Sequence, residues 1–323
     1  MMHSKGLYRK LAALAVALGV SGAALAEPQL VAVTAIVEHP ALDAVRDGIR
    51  EQLKEEGFVE GKDITWQFQS AQGNPGTAAQ IARKYIGDKP AVIVAIATPS
   101  AQAVIAATKT IPVVYAAVTD PIDAQLVPSW EASKTNVTGI SDGLELTRQI
   151  ELIKKVVPNA KRVGIVYNPG EANSVVVNTE FKKLLPEHGM ELVEAAAPRT
   201  VDVSSATRSL GGKVDLIYTS LDNNVVSAYE SMVRVADDLK IPLIASDTDS
   251  VGRGAIAALG VNYTDLGKQT GKVVARILRG EKAGDIPSSR SENVRLFLSK
   301  KSAAAQGVTL PEALLKEADE VLE

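Results

Sequence analysis

The chain has 323 residues, of which 46% are hydrophobic and 23% are charged, and its formal net charge is -3. This length is enough for two domains that each bury a core, and the small negative charge excludes the basic face that nucleic-acid-binding proteins present to phosphates. The sequence contains no cysteine, which excludes disulfides, thiolate metal sites, cysteine nucleophiles and a lipidated cysteine.

The first 26 residues have the pattern of a secretory signal peptide. Lys5, Arg9 and Lys10 precede the apolar run 11–20, and small residues follow up to Ala26. A membrane span needs about 20 apolar residues, so the short run favours cleavage after Ala26 over an uncleaved anchor. An exported chain without a lipid anchor is expected in the periplasm if the source has two membranes.

After residue 26, apolar strand patterns alternate with amphipathic helix patterns. The predicted strands cover 29–37, 64–71, 91–98, 112–119 and 136–141 in a first series, and 162–168, 191–197, 215–220, 242–246, 254–260 and 294–299 in a second. Between most of them lie stretches such as 41–57, where apolar residues keep helical spacing before Gly57. Continuous apolar strands separated by helices predict an α/β fold with parallel sheets covered on both faces.

The two series have the same plan. From Val31 to Gly57, and again from Val163 to Gly189, the chain runs through a strand, a loop and a helix, with an offset of 26 residues in both. Segments 91–121 and 214–250 also correspond, each with a strand, a polar loop, a helix, an Ile-Pro pair, a strand and an acidic loop. We therefore predict two Rossmann-like (flavodoxin-like) lobes.

Polar loops follow the strands of both lobes. Ligands of open parallel sheets bind outside the carboxyl ends of the strands, so facing lobes would place these loops around one cleft. Each loop leads into a helix, whose unpaired N–H groups and partial positive charge suit a carboxylate. The candidate carboxylate-binding residues are Thr98, Ser100, Asn173 and Ser174, with Asn168 and Asn223 of the same chemical type. The alternative is that they only cap helices.

Carboxylates are frequent in the same loops. Glu38, Asp222 and Asp247 are candidate partners for an ammonium group, while Asp120 and Glu171 are expected to line the cleft with Asn168. Some of these acids are expected to act as helix caps instead. Helix N-termini combined with carboxylates suit a zwitterion, and the sequence therefore predicts an amino-acid site.

Patterns typical of catalysis and of cofactor or metal binding are missing. The chain has no GxSxG, no GxGxxG after the first strand and no GxxxxGK[ST], and after residue 26 its only histidines are His39 and His188. The segment 247–252 begins like a calcium loop, but Val251 replaces its third acidic position. We expect no cofactor, no bound metal and no catalytic residue.

Several segments resemble the periplasmic solute-binding proteins of ABC transporters, specifically the family with tryptophan- and phenylalanine-binding members. The matching segments are IVEHPALDAVRDGIREQLKEEGF, IPVVYAAVTDP, NVTGISD, VGIVYNPGEANS, DNNVVSA and GAIAALGVNYTDLGKQTG, which together span nearly the whole chain after residue 26. The resemblance implies a type I periplasmic binding protein fold with three hinge crossings, near 141–142, 253 and 286–287. It implies an N-terminal lobe of 28–142 with 253–287 and a C-terminal lobe of 143–252 with 288–323.

The resemblance also implies capture rather than catalysis. A monomeric periplasmic component of an ABC importer would close on an amino acid such as tryptophan or phenylalanine and offer it to a membrane permease, with ATP consumed by a separate subunit. An aromatic ligand would pack against tyrosines or a tryptophan near the strand ends, which the sequence equally allows as core residues: Tyr115, Tyr167, Tyr218 and Trp130. Two alternatives stay open. One is a sugar- or nucleoside-binding protein of the same fold, and the other is an exported hydrolase that uses Glu38 and His39.

Overall fold

The computed structural model describes residues 27–291 and 293–323, so the predicted signal peptide lies outside the described residues. Two α/β lobes are present, each built on its own sheet. Within the described part of the chain, no helix combines the length and apolar character needed to cross a bilayer.

The sheet of the first lobe has six strands, and every pair of neighbours in it is parallel. Its strands are β1 (Gln29–Ala35), β2 (Ile64–Ser70), β3 (Val92–Ile96), β4 (Val113–Ala116), β5 (Val137–Ser141) and β11 (Ser289–Arg290), in the order β11-β5-β4-β3-β1-β2. Its helices are α1 (Pro40–Glu55), α2 (Pro75–Asp88), α3 (Thr98–Ala107) and α10 (Tyr263–Leu278). A short 3-10 turn covers Ala283–Asp285.

The sheet of the second lobe has seven strands in the order β13-β12-β10-β9-β8-β6-β7. They are β6 (Arg162–Tyr167), β7 (Glu191–Ala196), β8 (Leu216–Thr219), β9 (Leu243–Asp247), β10 (Ala257–Val261), β12 (Val294–Ser299) and β13 (Glu320–Leu322). The helices are α4 (Leu146–Val156), α5 (Ala172–Glu187), α6 (Val203–Ser209), α7 (Asn223–Ser227), α8 (Tyr229–Leu239), α9 (Asp249–Gly252), α11 (Lys300–Ala305) and α12 (Glu312–Glu317), with a 3-10 turn at Thr200–Asp202. Strand β12 runs antiparallel to β10, and the other pairings are parallel.

Apolar residues fill both faces of the central strands, as the predicted parallel sheets require. All five residues of β3 and all four of β4 are buried, and the same holds for β8 and β9 of the second lobe. In the first lobe, α1 and α10 cross at very close range, because Gly48 and Gly267 lie where they meet. A Cβ added at Gly267 would lie only 2.4 Å from the Val45 carbonyl oxygen. The resulting rigid block holds the N-terminus of α1 against the sheet.

The chain passes between the sheets three times, and two of the passages lie later than the resemblance implies. Strand β10 pairs with β9 and β12, so the chain stays in the second sheet beyond Arg253 and returns only at Asn262, before α10. Strand β11 pairs with β5, so the last passage follows Arg290 rather than 286–287. The apolar pattern of a buried strand does not reveal which sheet it joins, since both sheets bury it equally.

Candidate functional site

A small cavity with about 20 Å³ of free volume lies between the lobes, at the carboxyl ends of the strands. The first lobe lines it with His39, Ala41, Leu42, Ala97, Thr98, Ala117, Thr119, Asp142 and Tyr263, and the second lobe with Asn173, Leu221, Asn223, Val226 and Asp247. This is room for little more than one water molecule, so a larger ligand needs the lobes or the lining side chains to move. Polar atoms from both lobes therefore face one small, largely buried space.

Four of the residues predicted from the sequence line this cavity: Thr98, Asn173, Asn223 and Asp247. Ser100, Glu171, Ser174 and Asp222 are buried but do not reach its surface. Asp120 lines a wider neighbouring groove, and Asn168 lies in the half-buried loop after β6. The Glu38 side chain is 52% exposed and lies 3.9 Å from Arg46, so the structure does not bring it to the cavity.

Glu171 does not line the cavity, but it holds two of the lining side chains in place. Its Oε2 accepts hydrogen bonds from the Nδ2 groups of Asn173 at 3.0 Å and Asn223 at 2.6 Å. Asn173 Nδ2 also donates to the Leu221 carbonyl oxygen at 2.9 Å, so both N–H bonds of that amide are used. Its Oδ1 is buried and accepts no hydrogen bond from any described residue. Burial, reinforced by the nearby Asp222 carboxylate, raises the pKa of Glu171 to about 7.

Asp222 belongs to the same supporting layer. It is the N-cap of α7, and its Oδ1 accepts the Val225 N–H at 3.0 Å. Its Oδ2 accepts the Asn168 N–H and the Ser174 hydroxyl, both at 2.6 Å. Both oxygens are used inside the lobe and the side chain does not line the cavity, so the cap alternative describes this residue better than an ammonium partner does.

Asp222→Ala is expected to lower the free energy of unfolding by about 2–4 kcal/mol, because it removes a helix cap and leaves buried donors without an acceptor. Urea denaturation followed by circular dichroism measures this. Thr200→Ala, at an exposed turn in the same lobe, is the control and should be close to wild type. A stable Asp222→Ala variant with strongly weakened ligand binding would instead restore Asp222 as a direct contact.

Asp142 was not among the predicted site residues, although it directly follows β5. It is only 3% exposed, and its Oδ2 accepts the Tyr263 hydroxyl at 3.0 Å. Its Oδ1 is buried without a partner among residues 27–291 and 293–323. Burial raises the pKa of Asp142 to about 6, although the Tyr263 hydrogen bond acts in the opposite direction. From the sequence, Asp142 was assigned only to a hinge crossing between the lobes. Its position at the end of a strand was the feature that could have identified it as a site residue.

His39 is the third lining residue with a buried polar atom that has no partner within the described chain. It is buried, and its Nδ1 forms no hydrogen bond within the described chain. Burial lowers the pKa of His39 to about 3, with a smaller contribution from Arg253, so the ring is neutral near pH 7. The Glu38 side chain is half exposed beside Arg46, so the structure does not bring Glu38 and His39, the residues of the hydrolase alternative, together at the cavity.

Two helices of the first lobe begin at the cavity. In α1 the first bonded N–H is that of Asp43, to the His39 carbonyl, so Ala41 and Leu42 precede it with N–H groups that have no acceptor inside the helix. In α3 the first bonded N–H is that of Ala101, to Ala97. Ala41, Leu42 and Thr98 all line the cavity, so the positive ends of both helices face it.

The backbone is strained where β3 and β4 reach the cavity. Ala97 has φ 72° and Ala117 has φ 53°, a left-handed region that costs a non-glycine residue of order 1–3 kcal/mol. Both alanines line the cavity. Such strain is typical of functional sites.

The aromatic residues proposed for ligand packing lie elsewhere. Tyr115 and Tyr218 are core residues of the two lobes, and Tyr218 packs edge-on against Phe181. Trp130 lies under the guanidinium of Arg290 at 4.9 Å, and Tyr167 is half-buried at the end of β6. Within the described chain, no group of three histidine, aspartate or glutamate side chains is placed to hold a metal ion.

The chain matches the family model described as ABC transporter substrate binding protein over residues 30–322. It is 38% identical over 275 residues to a tyrosine-binding protein of Clostridioides difficile (strain R20291), covering 85% of this chain and 80% of the relative. Solved substrate-binding proteins for leucine and for myo-inositol, both at 14% identity, share the fold alone, which is the type I periplasmic binding protein fold.

Two solved structures of similar sequence differ in how well they superpose on this chain. An ABC domain in complex with L-Trp from Streptococcus pneumonia is 34% identical, covers 91% of this chain and 100% of its own, and gives a TM-score of 0.88. The ligand-free, open structure of a substrate binding protein with adhesive properties from Clostridium difficile is 37% identical, covers 91% and 99%, and gives 0.68. The two relatives are almost equally similar in sequence, so sequence divergence does not explain the difference in TM-score. The lobes of this chain are therefore placed more as in the L-Trp complex.

The two-lobed fold, the cavity between the lobes and the match to the family model all indicate the same family. This chain belongs to the family of ABC transporter substrate-binding proteins.

Proposed function

We propose that this protein is the solute-binding component of an ABC importer and captures an aromatic α-amino acid between its lobes. The observation that carries the proposal is the pair of unpartnered buried acceptors, Asp142 Oδ1 and Asn173 Oδ1, which come from opposite lobes and line the same cavity. Buried acceptors without donors are costly, so a ligand that donates hydrogen bonds is expected there.

An α-ammonium group supplies those donors. It carries three N–H bonds and a positive charge, which suit the Asp142 carboxylate, the Asn173 amide oxygen and the nearby Asp247 carboxylate. The acceptors come from both lobes, so contact with all of them requires a closed cleft. Binding therefore favours closure, because the ligand has more interactions in the closed form than in the open one.

The starts of helices α1 and α3, in the first lobe, suit the α-carboxylate of the ligand. The N–H groups at the starts of α1 and α3 have no acceptors inside their helices, and the positive ends of both dipoles face the cavity. The Thr98 hydroxyl is available beside them, and it is one of the residues predicted for this role. The two charged groups of an amino acid thus have separate partners.

The ligand side chain would contact an apolar wall. Leu42, Leu221 and Val226 line the cavity, with Ala97 and Ala117 beside them. Among the described lining residues Tyr263 is the only tyrosine, tryptophan or phenylalanine, and its hydroxyl is bonded to Asp142. This disfavours a sugar, which usually stacks on aromatic plates. Two relatives, the tyrosine-binding protein and the ABC domain in complex with L-Trp, favour an aromatic side chain.

The family match supports a proposal for the partner and the compartment. A solute-binding protein of an ABC importer delivers its ligand to a membrane permease, and we place this chain outside the cytoplasmic membrane, after cleavage at the predicted signal peptide. Capture then needs no catalytic step, and hinge motion at the three passages between the sheets supplies the change of shape.

A thermal-shift screen against the common L-amino acids, with calorimetry on the hits, tests the proposal. Tyrosine, tryptophan or phenylalanine should raise the melting temperature, because a ligand that binds only the folded state stabilises it. The corresponding D-amino acids and a panel of monosaccharides are the matched controls. A protein that responds to a sugar and to no amino acid contradicts the proposed function.

A further inference from the structure

Two buried carboxylates from opposite lobes line the same cavity. Asp142 lies at the end of β5 in the first lobe and is 3% exposed, and Asp247 ends β9 in the second lobe and is 1% exposed. The charge of Asp247 adds to the burial that raises the pKa of Asp142. The two groups are thus close enough to interact when the lobes are together.

Neutral donors hold both carboxylates, and neither has a cation bonded to it in the described chain. Asp247 accepts the Ser250 N–H at 2.9 Å and the Ser250 hydroxyl at 2.7 Å, while Asp142 accepts the Tyr263 hydroxyl. Arg253 is the nearby guanidinium. Its charge lowers the pKa of Asp247 in opposition to burial, but its hydrogen bonds, of 2.7 and 2.9 Å, go to Glu230.

The other titratable groups around the pair do not compensate its charge. His39 is neutral near pH 7, because burial lowers its pKa to about 3. Burial also raises the pKa of Tyr263, so this phenol is neutral as well. Asp249, which is exposed and two residues from Asp247, adds a third negative charge.

Two like charges brought together in a buried space repel each other and lose hydration. In an open cleft water screens each carboxylate separately. Closing the lobes removes that water, so closure is unfavourable unless a cation or a proton enters with it. The same pair attracts an ammonium group from both sides.

We propose that Asp142 and Asp247 form a carboxylate pair across the cleft that makes the ligand's ammonium group the condition for closure. The inference rests on the proposed function and adds the specificity determinant to it. An α-amino acid closes the lobes, whereas an aryl acid of the same shape without the amine leaves them open.

The first experiment needs no ligand. The chain contains no native cysteine, so cysteines introduced at the exposed positions Asp123 and Val201, one in each lobe, can carry a fluorophore pair that reports the distance between lobes. Wild type at pH 7.5 should be mainly open and should close partly at pH 5, where a proton replaces the cation. Asp247→Asn should increase the closed population at pH 7.5 by roughly threefold or more and flatten the pH response.

Asn is a conservative test at this position because its amide retains an acceptor for the Ser250 N–H and a donor for the Ser250 oxygen. Asp238→Asn, which makes the same charge change at an exposed position of α8 in the same lobe, is the control and should behave as wild type. Thermal melts confirm that both variants fold. An Asp247→Asn variant with the lobe distance and pH response of wild type overturns the inference.

The second experiment compares L-phenylalanine with 3-phenylpropionate, which lacks the amine. Wild type should discriminate strongly between them by calorimetry, and Asp247→Asn should reduce the ratio of their dissociation constants by about tenfold. An unchanged ratio also counts against the pair. If wild type binds no amino acid at all, the proposed function fails, while the ligand-free distances still decide whether the two carboxylates control closure.

Discussion

Asp142→Asn is expected to weaken binding of the amino acid by roughly 30-fold or more, the largest effect of any single substitution at the cavity. Removing one partner of a buried charged hydrogen bond typically costs about 2–5 kcal/mol. The change keeps the shape of the side chain and an acceptor for the Tyr263 hydroxyl, so the loss is confined to charge. Isothermal titration calorimetry with the best ligand of the screen measures it.

Asp120→Asn is the matched control for this experiment. Asp120 also follows a strand of the first lobe, but its Oδ1 accepts the N–H groups of Ile122 and Asp123, and it faces the wider groove rather than the cavity. Its substitution should leave the dissociation constant within about twofold of wild type. Equal effects of the two substitutions would show that general charge, not contact at Asp142, governs affinity.

The affinity is expected to fall on acidification, by about tenfold per pH unit below pH 6. Burial in this arrangement of the lobes raises the pKa of Asp142 to about 6, so a closed site without ligand takes up a proton as the pH falls through that value. An ammonium group binds the ionised carboxylate, and bound ligand must therefore displace this proton. The affinity for the amino acid is therefore highest above pH 6 and decreases between pH 6 and 4.

Calorimetry at pH 7.5, 6, 5 and 4.5 measures this dependence. Titrations at pH 5.5 in buffers of different ionisation enthalpy should also show release of a proton on binding. The Asp142→Asn variant is the control, because without the titrating carboxylate its weaker binding should vary much less with pH. A wild-type dissociation constant that stays constant from pH 7.5 to 4.5 contradicts the assignment of Asp142 as the ammonium partner.

The strands predicted from the apolar pattern are all present in the structure, because a run of β-branched and aliphatic residues between helices has few other ways to bury itself. The two missed strands are β11 and β13, of two and three residues. Segments this short have no periodicity, so only the edge of a formed sheet defines them as strands.

The sequence was less informative about the acids. Asp222, Glu171 and Asp247 all stand in polar loops after strands, and nothing in the local pattern separates them. In the structure Asp222 caps α7, Glu171 holds two asparagines, and Asp247 lines the cavity. Asp142 was overlooked because it lies beside a passage between lobes rather than in a longer loop.

The sequence by itself determined the α/β class, the repetition of two lobes and the edge of each sheet at which the polar loops gather, because periodicity and the direction of parallel strands are local properties. Only the tertiary structure decided which sheet β10 joins and which carboxylates face the cavity. Those choices depend on contacts between segments distant in sequence, such as Asp142 with Tyr263, and on which oxygens the surrounding N–H and O–H groups leave unpaired.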